Sequence, residues 1–201
     1  MLFRSNKVFS KKFSLYASYS TGFKAPVSSY FFITTPTVVA PPIPAGARVN
    51  ESLRPEKGIQ FEIGSKGSLA DNKLHYQVAV FSTRFSNKMT SVAVPLNNAA
   101  TAYSYVVNGG SQLHKGVELS LKYTLVQSRE GMISQLTPFF NIAYSDFTYG
   151  NNFSYVTGAT ASTLDTFNFS GLAVFGAPKF THAAGIDMDL RFGGYASVSV
   201  L

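Results

Sequence analysis

About eight segments of the chain alternate apolar and polar residues with period two, and the connections joining them alternate between short and long. The clearest segment is "GVELSLKYTL", Gly116 to Leu125, with Val117, Leu119, Leu121, Tyr123 and Leu125 on one side and Glu118, Ser120, Lys122 and Thr124 on the other. Successive side chains leave a pleated backbone on opposite faces, so this is a strand with one apolar and one polar face. Alternation alone does not say whether the apolar face meets a protein core or lipid. The same pattern predicts strands near Leu2 to Phe9, Phe13 to Phe23, Gly58 to Leu69, Leu74 to Asn87, Tyr103 to Leu125, Gln135 to Tyr149, Lys179 to Leu190 and Tyr195 to Leu201.

The connections carry the stronger constraint. Ser10 to Lys12, Ala70 to Lys73, Val126 to Ser134 and Arg191 to Gly194 are short, whereas Lys24 to Lys57, Lys88 to Ala102 and Gly150 to Pro178 are long. In an antiparallel meander this puts every long connection at one end, as in outer-membrane barrels, where short periplasmic turns face long extracellular loops. A Greek-key sandwich has no reason to sort its loops this way. Tyr16, Tyr19, Phe23, Phe85, Tyr103, Tyr105, Tyr144, Phe147, Phe180, Phe192 and Tyr195 lie near strand ends and are expected to form the aromatic girdles of a membrane interface.

Composition agrees with a strand-rich envelope protein. Charged residues make up 13% of the chain, against about 25% in soluble domains. There are 11 Tyr and 18 Phe, with no Cys and no Trp. Without Cys there is no disulfide framework, thiol nucleophile or cysteine-built zinc site. The net charge of +7 raises nucleic acid as a partner, but the basic residues are scattered and no binding motif accompanies them, so no nucleic-acid role is expected. No apolar run is long enough for a membrane helix, and "MLFRSNKVFSKKFS" holds no signal-peptide core. A barrel is therefore the way this chain would span a bilayer.

Three linked blocks carry a resemblance. They are "YASYSTGFKAP" from Tyr16, "LRPEKGIQFEIGSKGSLADNKLHYQVAVF" from Leu53, and "YVVNGGSQLHKGVELSLKY" from Tyr105; "GAPKFTHAAGIDM" from Gly176 adds a fourth. Gly22-Phe23-Lys24-Ala25-Pro26, Leu53-Arg54-Pro55-Glu56, Glu62-Ile63-Gly64, Asn108-Gly109-Gly110 and Gly116-Val117-Glu118 match barrel motifs of TonB-dependent outer-membrane receptors, which the chain resembles from about Tyr16 onward. The fold class is thus expected to be all-β, an antiparallel up-and-down transmembrane β-barrel segment supplying about eight strands of a barrel of about 22. The resemblance implies a transporter, not an enzyme, in the outer membrane of a Gram-negative bacterium. Its partners would be outer-membrane lipid, its own plug domain, the TonB complex reached through that plug, and a ferric siderophore or similar nutrient. Residues 1–201 show no plug, TonB box or terminal aromatic strand, so the chain is expected to be one partial barrel of a larger receptor. The rival readings are a complete eight-stranded barrel acting as an adhesin or structural protein, and a soluble carbohydrate-binding β-sandwich.

No catalytic constellation is legible, and no cofactor is expected. His75, His114 and His182 lie on different strands without acidic partners at zinc-ligand spacing, and are expected to be polar or interfacial strand positions. "GGS" at Gly109 to Ser111 falls within a strand, where it relieves crowding or forms a bulge. Ligand recognition belongs to the long loops and upper lumen. In the first long loop Tyr30, Phe31, Phe32 and Arg48 stand among several prolines; in the third, Tyr149, Phe153 and Tyr155 make a similar group. Aromatics with an Arg suit a flat, partly anionic ligand such as a catecholate or hydroxamate chelate of iron. Glu118, Lys122, Asp187 and Asp189 are expected to face the lumen and meet the plug or water.

Overall fold

The computed structural model describes residues 1–10, 12–35, 38–39, 42–43, 46–97, 100–128, 130–151, 153–157, 165–192 and 196–200. In chain order its strands are β1 (Leu2–Ser10), β2 (Phe13–Lys24), β3 (Phe32–Thr35), β4 (Val38–Val39), β5 (Pro42–Ile43), β6 (Gly46–Val49), β7 (Glu56–Leu69) and β8 (Leu74–Asn97). They continue with β9 (Ala100–Tyr123), β10 (Val126–Gln127), β11 (Ile133–Tyr149), β12 (Ser154–Thr157), β13 (Asp165–Asn168), β14 (Phe180–Phe192) and β15 (Ala196–Val200). One antiparallel sheet of nine strands dominates, in the order β1-β2-β7-β8-β9-β11-β14-β15, with β10 pairing β11 at its lower edge. The pairs β3-β6, β4-β5 and β12-β13 are small ribbons within the long connections, and Ser28–Phe31 forms a 3-10 turn. No helix among the described residues is long and apolar enough to cross a membrane.

Every neighbouring pair in the main path is antiparallel, so the long connections gather at one end and the short ones at the other. The β7-β8 turn shows how tightly the short end is made. Ala70, Asp71 and Asn72 all have positive φ, and Lys73 N–H donates to the Ala70 carbonyl at 3.1 Å. Asp and Asn tolerate that left-handed backbone better than other side-chain-bearing residues. Arg191 to Gly194 ends on residues outside the described set.

One extension was not legible. Strand β8 does not stop near Asn87 but runs on to Asn97 and pairs with β9 from Ala100, so most of Lys88 to Ala102 is a projecting hairpin and not a loop. The register shifts between Phe85 and Met89, opposite Asn108 to Gly110, with Asn87 at φ 57° and Gly110 at φ 139°. A bulge inserts a residue and reverses which face each later residue occupies. The period-two pattern therefore breaks phase at Asn87 while the strand continues, and the glycines of "GGS" sit in the opposing half of that bulge.

The sheet is a single layer. Among the described residues no side chain is fully enclosed, and Ile63, Val80, Val117 and Ile186 are about half exposed. In register, Ala17, Ile63, Val80, Val117, Tyr144 and Phe180 form one continuous apolar row on the outward face. Among the described residues no second layer covers it, which is the opposite of a sandwich core. The architecture is an all-β, up-and-down antiparallel segment of a barrel.

The inward face is built differently. Tyr16 lies opposite Gly64, Phe81 opposite Gly116, Phe85 opposite Gly58 and Phe139 opposite Gly185. At Gly64, Gly116 and Gly185 the ring occupies the space a Cβ would need, and at Gly58 it closes to 3.2 Å of it; for Gly64 that position is 2.6 Å from the Tyr16 ring and from the Val78 carbonyl oxygen. Tyr16 is consequently buried. Lys122 and Asp187 meet across the intervening β11 at 3.4 Å, so two of the charges expected in the lumen are paired with each other. Tyr16, Phe85 and Phe147 thus leave the expected girdle, since their positions in the alternation turn them inward. Tyr19, Tyr144 and Phe180 remain on the outside, with Tyr19 joined by Phe61 at 4.9 Å and Tyr144 by Phe180 at 5.0 Å.

Candidate functional site

Two adjoining rows of the inward face lie just below the long connections. The upper runs Gly22, Gly58, Phe85, Gln112, Tyr149, and the lower Ser20, Gln60, Thr83, His114, Phe147. Small residues on β2 and β7 leave a recess, and rings on β8, β9 and β11 fill the other side. The recess is a cleft of about 420 Å³ lined by Ser20, Gly22, Lys24, Gly58, Gln60 and Phe85, among others.

The rings form a shelf. His114 stacks on Phe147 with centroids 4.1 Å apart and planes 10° from parallel, and meets Phe85 edge-on at 4.9 Å. Gln112 Oε1 lies 3.2 Å from His114 Nε2, fixing the imidazole from above. Lys88 Nζ sits 5.5 Å from the Phe85 centroid and pairs with Glu56 at 3.2 Å, so this edge of the shelf holds an ion pair. Beyond it Tyr149 packs on Phe153 at 4.3 Å and on Phe169 at 5.8 Å. The stacked rings present flat π-surface and Lys24 adds a cation at the cleft, a combination suited to conjugated, anionic ligands. It is poor in chemistry for bond breaking. No group of three His, Cys, Asp or Glu suited to a metal ion occurs among the described residues.

The motifs of the first long connection explain what holds the shelf's upper edge. Asn108 Nδ2 donates to the Arg54 and Asn87 carbonyls at 2.8 and 2.9 Å, and its Oδ1 accepts from Arg54 N–H at 2.8 Å. Glu56 is buried; its carboxylate accepts from Met89 N–H at 2.8 Å and pairs with Lys88 at 3.2 Å. Asn50 Nδ2 reaches the Val106 carbonyl at 2.8 Å. Leu53-Arg54-Pro55-Glu56 and Asn108-Gly109-Gly110 are thus two halves of one clamp that ties the first connection to the β8-β9 bulge. Backbone groups freed by the bulge find their partners there.

The expected ligand residues are dispersed by comparison. Tyr30 and Phe31 lie half-buried in the 3-10 turn, Phe31 giving its carbonyl to Asn50 N–H, and Phe32 opens β3 and is exposed. Arg48 and Tyr155 have described backbone, pairing Ile33 and Phe167, but their side chains lie outside the described residues. Tyr149 is the one placed in the row above the shelf, opposite Gln112, and its ring contacts are with Phe153 and Phe169; no ring contact links it to Tyr30, Phe31 or Phe32 among the described residues. Phe85, His114 and Phe147 were missed as a set. The signal was their place in the alternation: Phe85 shares a face with Gln77 and Ala79, and His114 with Glu118.

Comparison with known proteins gives a family. A sequence model described as "TonB dependent receptor-like, beta-barrel" matches residues 4–199. No curated protein matches the chain. Among solved structures, a structure of the RagAB peptide transporter superposes with a TM-score of 0.58 at 16% identity, over 90% of this chain and 25% of that one. The FrpB iron transporter from Neisseria meningitidis gives 0.51 at 16% identity, over 96% and 24%. RagAB in its closed-closed state gives 0.58 at 17% identity, over 90% and 25%. The chain spans about a quarter of the length of each of these structures.

Proposed function

Because the chain belongs to the TonB-dependent receptor-like β-barrel family, we propose that it forms part of the barrel wall of an outer-membrane receptor that imports a nutrient, with a ferric siderophore as cargo. In this reading the apolar row through Val117 faces lipid, the long connections face the exterior, and the lumen holds a plug that engages the TonB complex. The receptor is a transporter, and its chemistry is binding and release.

The observation that carries the cargo reading is the shelf of Phe85, His114 and Phe147, with Lys24 lining the cleft beside it. A ferric catecholate is conjugated and anionic, which matches both features. Tyr149 extends the same surface toward the loop aromatics, where Tyr30, Phe31, Phe32, Arg48 and Tyr155 would make first contact. The names of the similar structures, a peptide transporter and an iron transporter, show that one fold serves different cargos.

The test uses the intact receptor in detergent, titrated with a ferric tris-catecholate and followed by tyrosine fluorescence quenching. Replacing Phe85, His114 and Phe147 together with Ala is expected to weaken binding at least about tenfold, since each stacking contact contributes on the order of 1 kcal/mol. Unchanged affinity would remove the shelf from the site. Saturable binding of oligopeptides without binding of any ferric chelate would overturn the cargo.

A further inference from the structure

The outward face carries a second feature, at the upper limit of its apolar band. Beyond Ile59 on β7, the next residue on that face is Lys57; beyond Val80 on β8 come Ser82 and Arg84; beyond Val117 on β9 comes Lys115. Lys57 pairs in register with Ser86, Arg84 with Ile59, and Lys115 with Ser82. The three cations therefore step across adjacent strands along a diagonal, two residues lower on each. Strands of outer-membrane barrels are tilted by about 35–45°, so a line of constant height crosses the register as a diagonal of this kind. All three side chains are exposed, and none pairs with a carboxylate among the described residues.

Directly beneath lies a groove of about 620 Å³, lined by Ala17, Phe61, Ile63, Val80, Val117 and Tyr144, with Lys115 at its upper margin. Phe61 and Tyr144 make its sides and the smaller aliphatic residues its floor. Asp146, opposite Lys115 in register, also borders it and leaves the rim with a net surplus of positive charge.

We propose that Lys57, Arg84 and Lys115 and the groove beneath them bind a phosphorylated lipid of the outer leaflet, its phosphates on the cations and an acyl chain in the groove. The charge decides the occupant: a neutral lipid would leave three cations unpaired at the hydrocarbon boundary, whereas phosphate neutralises them. The site rests on the lipid-facing reading of the outward surface and is independent of the cargo.

The experiment titrates the intact receptor in detergent micelles with diphosphoryl lipid A, counting bound lipid by native mass spectrometry. K57Q/R84Q/K115Q is compared with K12Q/K66Q/K73Q, which removes equal charge from turns at the opposite end and from the lumen. The expected result is binding about tenfold or more weaker in the first variant only, and loss of preference in the unaltered protein when the lipid lacks its phosphates. Equal binding by both variants, or equal binding of the dephosphorylated lipid, would overturn the site. Heat-dependent gel mobility checks that each barrel is folded. An intact receptor that stays soluble and monomeric without detergent would instead overturn the lipid-facing reading itself.

Discussion

The two faces of the same sheet are stabilised by different means. On the outward face large aliphatic and aromatic side chains stand about half exposed, with no second layer of described residues against them. On the inward face four rings lie across four glycines of neighbouring strands, so cross-strand contact replaces a second layer. One face depends on its solvent being apolar; the other is largely self-sufficient in packing and tolerates water. A single-layer sheet can be stable only if something outside the chain takes up the apolar face.

The sharpest way to break this comparison is to place the same charge on each face. Val117→Arg, mid-band on the outward side, is expected to cost about 2–4 kcal/mol in the intact receptor unfolded by urea in lipid vesicles. Glu118→Arg, its inward neighbour, is expected to change stability by less than about 0.5 kcal/mol. Equal costs would mean that the outward face does not meet lipid.

The inward packing has its own test. Gly64→Ala places a methyl where the Tyr16 ring and the Val78 carbonyl already sit, and a carbonyl on a paired strand cannot rotate away. The expected loss is about 1–3 kcal/mol. Gly22→Ala, where nothing lies within 4 Å, is expected to be near neutral by the same urea measurement.

Smaller effects are expected where side chains only pair. Glu56→Ala removes the acceptor of Met89 N–H and the partner of Lys88, for about 1–2 kcal/mol; faster hydrogen exchange confined to the β8-β9 bulge would locate it. Lys122→Gln breaks an ion pair whose lysine is about half exposed, so the same unfolding measurement should register less than about 1 kcal/mol. A larger loss there would mean that the lumen is drier than its polar lining suggests.

The positions of the main sheet strands, their faces below the bulge and the end at which long connections gather were readable from residue order, because side-chain alternation and turn chemistry are local properties of the backbone; the ribbons β3-β6, β4-β5 and β12-β13 within those connections were not. Strand β7, for instance, is announced by Ile59, Phe61 and Ile63 against Gln60, Glu62 and Gly64. The true length of β8 was not, since the bulge at Asn87 reverses the phase of the pattern. Nor was the clamp: Glu56 and Met89, or Arg54 and Asn108, lie on different strands, and only the register brings them together. The same holds for the shelf. Phe85, His114 and Phe147 are a strand apart each in sequence, and their stacking exists only because three antiparallel strands align. Which side of Val117 is apolar follows from its neighbours in the chain; that no other described segment covers it follows only from the folded sheet, because burial is a relation among distant segments and not a property of any one of them.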